Sequence, residues 1–273
     1  MSVRTFSLKN TETQNNTWYF TSKTFKCFLN DPNGLGFTRN LTTDRYGNVQ
    51  KLVDISDSFP TITGQVLFYD DANSSRYDKY NDFCRFISHN PCIFYYQIPT
   101  SPTETYTLDC EVVSLTKSET KSNGILTCDI TINGLSFWKG DAVESKGATT
   151  TRTIVNSGDF PVGFEITIEG TPVNPYITLE QNSTLYGEAK FIDASAFAKV
   201  YIDSNDGEQL VELTQGGSIL ANPLAYQDLS ISNGSIYTTF IKLARGTSTL
   251  TIGMDSGSIT KADIKFTPIY RSV

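Results

Sequence analysis

The chain has 273 residues, a net charge of −7, 38% hydrophobic and only 19% charged residues, with 17 Phe and 14 Tyr. This balance excludes a basic nucleic-acid footprint, and no apolar run reaches the roughly 18 residues that a membrane-spanning helix needs. One histidine, His89, excludes zinc sites built on two imidazoles, and the surplus of Thr, Tyr, Phe, Ile and Val suits pleated, half-buried strands.

At roughly 150 residues per domain the length predicts two domains. The opening stretch, Met1 to Lys9, lacks the apolar core of a signal peptide, so synthesis in a cytoplasm is expected. Strand-like segments follow at Trp18-Tyr19-Phe20 and Phe25 to Leu29, then strong turn clusters at Asn30 to Gly36 and Arg45 to Asn48. Ile62 to Tyr69 alternates as a strand. Tyr77, Tyr80, Cys84 and Ile87, with Phe83 beside them, recur at helical spacing after the capping candidates Asp70, Asp71 and Asn73. They predict one amphipathic helix over about residues 73–89, its aromatic stripe packed on a sheet. His89, in Ser88-His89-Asn90-Pro91, reads as part of the helix end rather than as a catalytic base. Strands are expected again over 92–98, 106–115 and 125–132, the last two joined by a polar link ending in Asn123-Gly124.

The polar stretch 139–148 predicts a boundary. Beyond it short strands are expected at 150–155, 164–169, 176–180, 186–192, 198–203, 209–213, 236–243, 248–253 and 259–267, punctuated by Asn174-Pro175, Asp206-Gly207, Gly216-Gly217 and Asn233-Gly234. Such spacing is that of a β-sandwich. The fold class is therefore mainly β, with an α+β first domain over 1–140 (a sheet plus one helix) and a β-sandwich over 141–273.

Chemistry is weakly signalled. Five cysteines, Cys27, Cys84, Cys92, Cys110 and Cys128, form no C-x-x-C pair and read as free, mostly buried thiols. Asp70-Asp71 and Glu165 with Glu169 are the carboxylate pairs a glycosidase would need, but acidic residues on a strand's exposed face are common and nothing else marks a cleft, so no enzyme is expected. Asp203 to Glu208 has the acidity of a calcium loop without its ligand spacing and reads as a hairpin turn. A sugar platform on the second half would draw on Tyr176, Tyr186, Tyr201, Tyr226 or Tyr237. No catalytic, cofactor or metal residue is expected.

Ordered patches carry a family resemblance. They run Gly34-Leu35-Gly36-Phe37, Ile62 to Phe68, the helix Tyr77 to Ile87, Tyr106 to Cys110 and Leu115 to Glu119. Asn156-Ser157-Gly158-Asp159-Phe160-Pro161, Ile166 to Gly170, Asn174-Pro175 and Phe240 to Thr251 follow. In order and spacing the chain resembles the distal tail proteins of long-tailed phages (siphophages) that infect Gram-positive bacteria. Ala244-Arg245 and Ser248 replace the Pro and Asn usual near the late Gly turn.

The resemblance implies an N-terminal α+β domain that forms a homo-hexameric ring and a C-terminal galectin-like β-sandwich. The ring would sit at the virion tail tip, made in the host bacterial cytoplasm. It would join the tail tube protein to the tail-tip hub or tail-associated lysin, with DNA passing through its lumen and no sequence-specific nucleic-acid or membrane contact. The sandwiches would carry receptor-binding or other baseplate proteins. A carbohydrate-binding module for host attachment is the alternative. The aromatic-rich, turn-rich residues 21–60 are expected to project onto a neighbouring subunit, with Phe25, Phe28, Leu29, Leu35, Phe37, Leu41 and Tyr46 as interface candidates.

Overall fold

A computed structural model describes the chain except for residues 1–3, 12–15, 21–25, 47, 70–72, 90, 101–102, 119–124, 192–197, 216–217, 222–228 and 232–239. Phe25, the Asp70-Asp71 pair, Tyr226, Tyr237 and the Asn-Gly and Gly-Gly turns at 123–124, 216–217 and 233–234 lie outside the described residues. The chain divides into two compact units, one of Met1–Gly140 with Tyr270–Val273, the other of Asp141–Ile269.

In the first unit β1 (Thr5–Asn10), β2 (Thr17–Tyr19), β3 (Cys27–Asn33), β4 (Thr38–Tyr46), β5 (Val49–Ser58) and β6 (Thr61–Tyr69) precede α1 (Asn73–Ile87). After the helix come β7 (Cys92–Ile98), β8 (Glu104–Lys117), β9 (Ile125–Gly134) and β10 (Trp138–Lys139). The main sheet has the order β2-β1-β7-β8-β9-β6-β3, with β10 pairing β8. Strands β4 and β5 are not part of it and form a separate two-stranded sheet.

Alternation on the main strands turns Phe6, Leu8, Val66, Phe68, Phe94, Leu108, Cys110, Leu126, Cys128 and Ile130 inward. The helix packs on β6 and β9. Its buried stripe is displaced from the one expected: Phe83 and Phe86 are buried, while Tyr77, Tyr80, Cys84 and Ile87 flank them half-buried. Phe83 is the hub, with ring centroids 5.1 Å from Trp18, 5.8 Å from Phe20 and 5.8 Å from Phe68. Aromatic pairs at such spacings add to plain area burial. Pro32, which cannot donate to a ladder, falls where the β3–β6 register shifts between Asn30 and Asn33.

The second unit holds β11 (Val143–Ser145), β12 (Thr151–Asn156), β13 (Glu165–Gly170), β14 (Tyr176–Gln181), β15 (Thr184–Phe191), β16 (Lys199–Asp203) and β17 (Leu210–Gln215). Then come β18 (Ser218–Ala221), β19 (Leu229–Ile231), β20 (Gly246–Gly253) and β21 (Ile259–Phe266). Two sheets, ordered β11-β21-β13-β16-β17-β18 and β12-β20-β14-β15-β19, share one core that takes Ile166, Ile168, Val200, Ile202 and Ile264 from the first and Ile154, Ile177, Leu179, Phe191 and Leu250 from the second. This is a β-sandwich. The strand expected at 236–243 does not continue through Phe240 to Leu243, where only a bridge between Leu243 and Val162 forms.

Two polar residues organise the start of the sandwich. Buried Arg152 donates from Nε to the Thr149 carbonyl (2.8 Å), from Nη1 to the Ser145 carbonyl (2.7 Å) and from Nη2 to the Gly147 carbonyl (2.6 Å). The polar stretch expected as a boundary is thus held by a fixed guanidinium fork. Buried Asn156 donates to the Phe160 carbonyl and accepts from the Gly158 N–H. A Cβ on Gly158 would stand 2.6 Å from the Ile269 carbonyl oxygen, so this turn of the quoted motif requires glycine by close approach.

Candidate assembly surface

The surface that the core does not explain is the β4–β5 ribbon. Its strands pair antiparallel from Thr38↔Ser58 to Tyr46↔Val49, with Val53 left over where the register shifts between Thr42 and Thr43. Leu41 opposes Ile55 and Thr43 opposes Leu52, so strand geometry puts Leu41, Leu52 and Ile55 on one face. All three are exposed, Leu41 by 61%, as are Val49 and Val53 on the ribbon and Phe37 and Phe59 beside its root. A lone two-stranded hairpin is at best marginally stable in water, and a contiguous exposed apolar patch marks an interaction site.

The root is tightly determined. Gly34 has φ +88°, and a Cβ there would stand 1.8 Å from the Thr61 carbonyl oxygen, so only glycine makes this entry turn. Arg39 Nε donates to Asp57 Oδ1 at 3.0 Å across the ribbon, and its guanidinium lies 5.5 Å from the Phe37 ring centroid. Arg271 Nε donates to Asp57 Oδ2 at 2.6 Å. These two guanidiniums, Arg271 first, hold the Asp57 carboxyl below its ordinary range.

The expected interface residues separate into classes. Phe28, Phe37 and Leu41 are exposed. Leu35 is half-buried against the core. Leu29 must be withdrawn: at 2% exposure it faces the core with Cys27, because alternation along the start of β3 sends Phe28 outward between them. Tyr46 closes β4, and its side chain lies outside the described residues. The projecting segment is also narrower than residues 21–60, since β3 belongs to the main sheet.

The other candidates do not assemble into a site. Glu165 and Glu169 each receive a Lys from β21, Lys265 at 2.9 Å and Lys261 at 3.0 Å, so both carboxylates are engaged in cross-strand pairs. Asp203 Oδ1 accepts from the Asn205 backbone and side chain, and Asp206 Oδ2 takes Lys242 Nζ at 2.7 Å. With Gly207 at φ +91° the segment is the β16–β17 turn. Tyr176 and Tyr186 belong to one sheet of the sandwich and Tyr201 to the other, so no single sheet face gathers them. Among the described residues no cluster of three or more His, Cys, Asp or Glu could hold a metal, and no helix is long and apolar enough to cross a membrane.

The five cysteines are free thiols, four of them buried. Burial pushes the Cys27 and Cys128 thiols up to about 12 and raises those of Cys92 and Cys110 as well. His89 lies just past the helix, its Nδ1 3.1 Å from the Arg85 carbonyl oxygen.

Among the described residues the chain is thus two mainly β units with one helix and an exposed apolar ribbon. Residues 5–135 match the family model described as distal tail protein, N-terminal domain, so the first unit is similar to that family's N-terminal domain. The fold is similar to that of the distal tail protein of phage SPP1, described as a paradigm of the hub adsorption apparatus in phages infecting Gram-positive bacteria. That match has 12% identity, a TM-score of 0.67, and covers 96% of this chain and 98% of that one. It is also similar to a chain in the phage P2 baseplate in its activated conformation with Ca, at 13% identity, TM-score 0.57 and full coverage of both chains. No curated protein matches.

Proposed function

We propose that the chain is a ring-forming subunit of the phage tail tip. Six first units close into a homo-hexamer as each β4–β5 ribbon lies on its neighbour. The ring joins the tail tube to the tail-tip hub, and the sandwich anchors receptor-binding or other baseplate proteins. The observation that carries this reading is the ribbon, which exposes an aligned Leu41, Leu52, Ile55 face that no second layer covers among the described residues. A heterologous contact repeated around an axis generates a closed ring. Each of these side chains contributes roughly 1.5–3 kcal/mol when buried against a partner, which answers their cost on a free monomer.

The test replaces residues 38–58 by an Asn-Gly turn and reads the mass by mass photometry. The intact chain gives a species near six times 30.3 kDa, heavier by the partners' mass when tail partners are added, and the shortened chain stays monomeric. Rings formed by the shortened chain would overturn the proposal.

A further inference from the structure

We infer that residues 270–273 staple the root of the ribbon and set its direction, with Arg271 as the positioning residue; the assembly role of that direction rests on the ring reading above. Among the described residues β4 and β5 pair only with each other, so the contacts at the root bear most directly on the ribbon's angle to the main sheet. Arg39 and Asp57 are directly opposed partners within the ribbon and cannot orient it against anything else. Arg271 comes from 214 positions away and takes the second oxygen of the same carboxylate.

The neighbouring residues anchor Arg271 to the body of the first unit. The Tyr270 ring meets Tyr106 of β8 edge-on at 5.5 Å. Gly140 makes room for it, since a Cβ there would stand 2.8 Å from the Tyr270 ring. On the other side the Val273 N–H donates to the Leu35 carbonyl at 3.2 Å, in the turn that enters β4, and Tyr270 and Val273 both pack against the first unit's core. The segment therefore grips the ribbon at both strands, at Leu35 on the way in and Asp57 on the way out. The Asp57 side chain is only 14% exposed and that of Arg271 29%. Such partial desolvation makes a charge-assisted bond more durable than a fully exposed pair.

The experiment places spin labels, through non-natural amino acids that leave the native cysteines alone, at Asn48 on the ribbon turn and Val113 on β8. Distances are read by pulsed electron resonance in samples diluted with unlabelled chain, so that assembled and unassembled forms are both observed. The unaltered chain gives one narrow distance peak. Arg271→Met keeps the aliphatic stem and loses the fork; it and Asp57→Asn each lose the narrow peak while the melting temperature holds. Arg271→Lys, a point donor, recovers part of it. A peak that stays narrow in both Arg271→Met and Asp57→Asn, or that is already broad in the unaltered chain, overturns the staple. A narrow peak lost in Arg271→Met in a chain that never forms rings upholds the staple and sinks the ring. Rings with a peak indifferent to Arg271→Met do the reverse.

Discussion

The ribbon and the sandwich are built from the same element, the antiparallel strand pair, and end in opposite states. Along β12 every second residue is buried, because a second sheet lies over that face. Along β5 the first eight residues are all exposed, although Leu52, Val53 and Ile55 are no less apolar than Ile154. Side-chain chemistry is matched; what differs is whether the chain supplies the covering layer. For the sandwich it does. For the ribbon no such layer is present among the described residues, and polar and charged residues such as Arg39, Asp54 and Asp57 stand between the apolar ones, as on strand edges that discourage indiscriminate pairing.

That contrast breaks most sharply by truncating one apolar residue on each side. Phe164→Ala, in the sandwich core, is expected to cost about 3–5 kcal/mol of unfolding free energy. Leu41→Ala, at an exposed site, changes it by under about 0.5 kcal/mol and weakens assembly instead. Denaturant unfolding and mass photometry on the two variants check this. A Leu41→Ala loss comparable with that of Phe164→Ala would show that the ribbon is covered within its own chain. The root comes next: Gly34→Ala forces a side chain into the left-handed region against the Thr61 carbonyl, at about 1–3 kcal/mol from backbone strain alone, and the melting temperature should fall accordingly.

What was legible in the sequence follows the same division. Where a core exists, its period is printed on the chain: the 3.6-residue recurrence from Tyr77 to Ile87 marked the helix and alternation marked β6, while β7, β9 and the sandwich strands were marked as short runs between turn signals. The ribbon strands were read only as turns and surface, since a ribbon without a core face has no reason to alternate, and the leftover Val53 breaks the phase. Leu29 was misplaced for the converse reason: aliphatic content alone does not tell which face of β3 looks inward. Phe83 and Phe86 displaced the expected helix stripe by one residue, which depends on where the sheet lies rather than on spacing. The Arg271–Asp57 bond could not be read at all, because it joins positions 214 apart and no local pattern carries it.

A smaller effect tests how completely the buried layer is closed. Cys84 is only half-buried while the other four thiols are buried. A thiol alkylating reagent at pH 8.5 should therefore modify Cys84 first. Cys27 and Cys128, whose thiols stay protonated until about pH 12, should react only on unfolding, since the thiolate is the nucleophile. Peptide mass spectrometry after timed quenching reads the order. Early modification of Cys27 would mean that the edge strand β3 opens readily beside the ribbon root.

The smallest effect belongs to the sandwich's charged outer face, where Lys265 meets Glu165 and the Tyr201 hydroxyl donates to Glu165 and to Asp203. Both cation and carboxylate are substantially exposed, so Glu165→Gln should change stability by under about 1 kcal/mol at moderate salt. The pair raises the Lys265 ammonium above its ordinary value. Its contribution is therefore fully present below the unfolded lysine's pKa near about 10.4 and is lost only as pH climbs through the higher folded value. Tyr201 gives the more sensitive readout. Burial first, then the charge of Glu165, holds its phenol above the ordinary range. In Glu165→Gln the burial and Asp203 remain, so the phenol titration seen by ultraviolet absorbance should move down without reaching the ordinary tyrosine value. A titration that does not move would show that the two carboxylates do not share the hydroxyl, and that burial and Asp203 restrain it without Glu165.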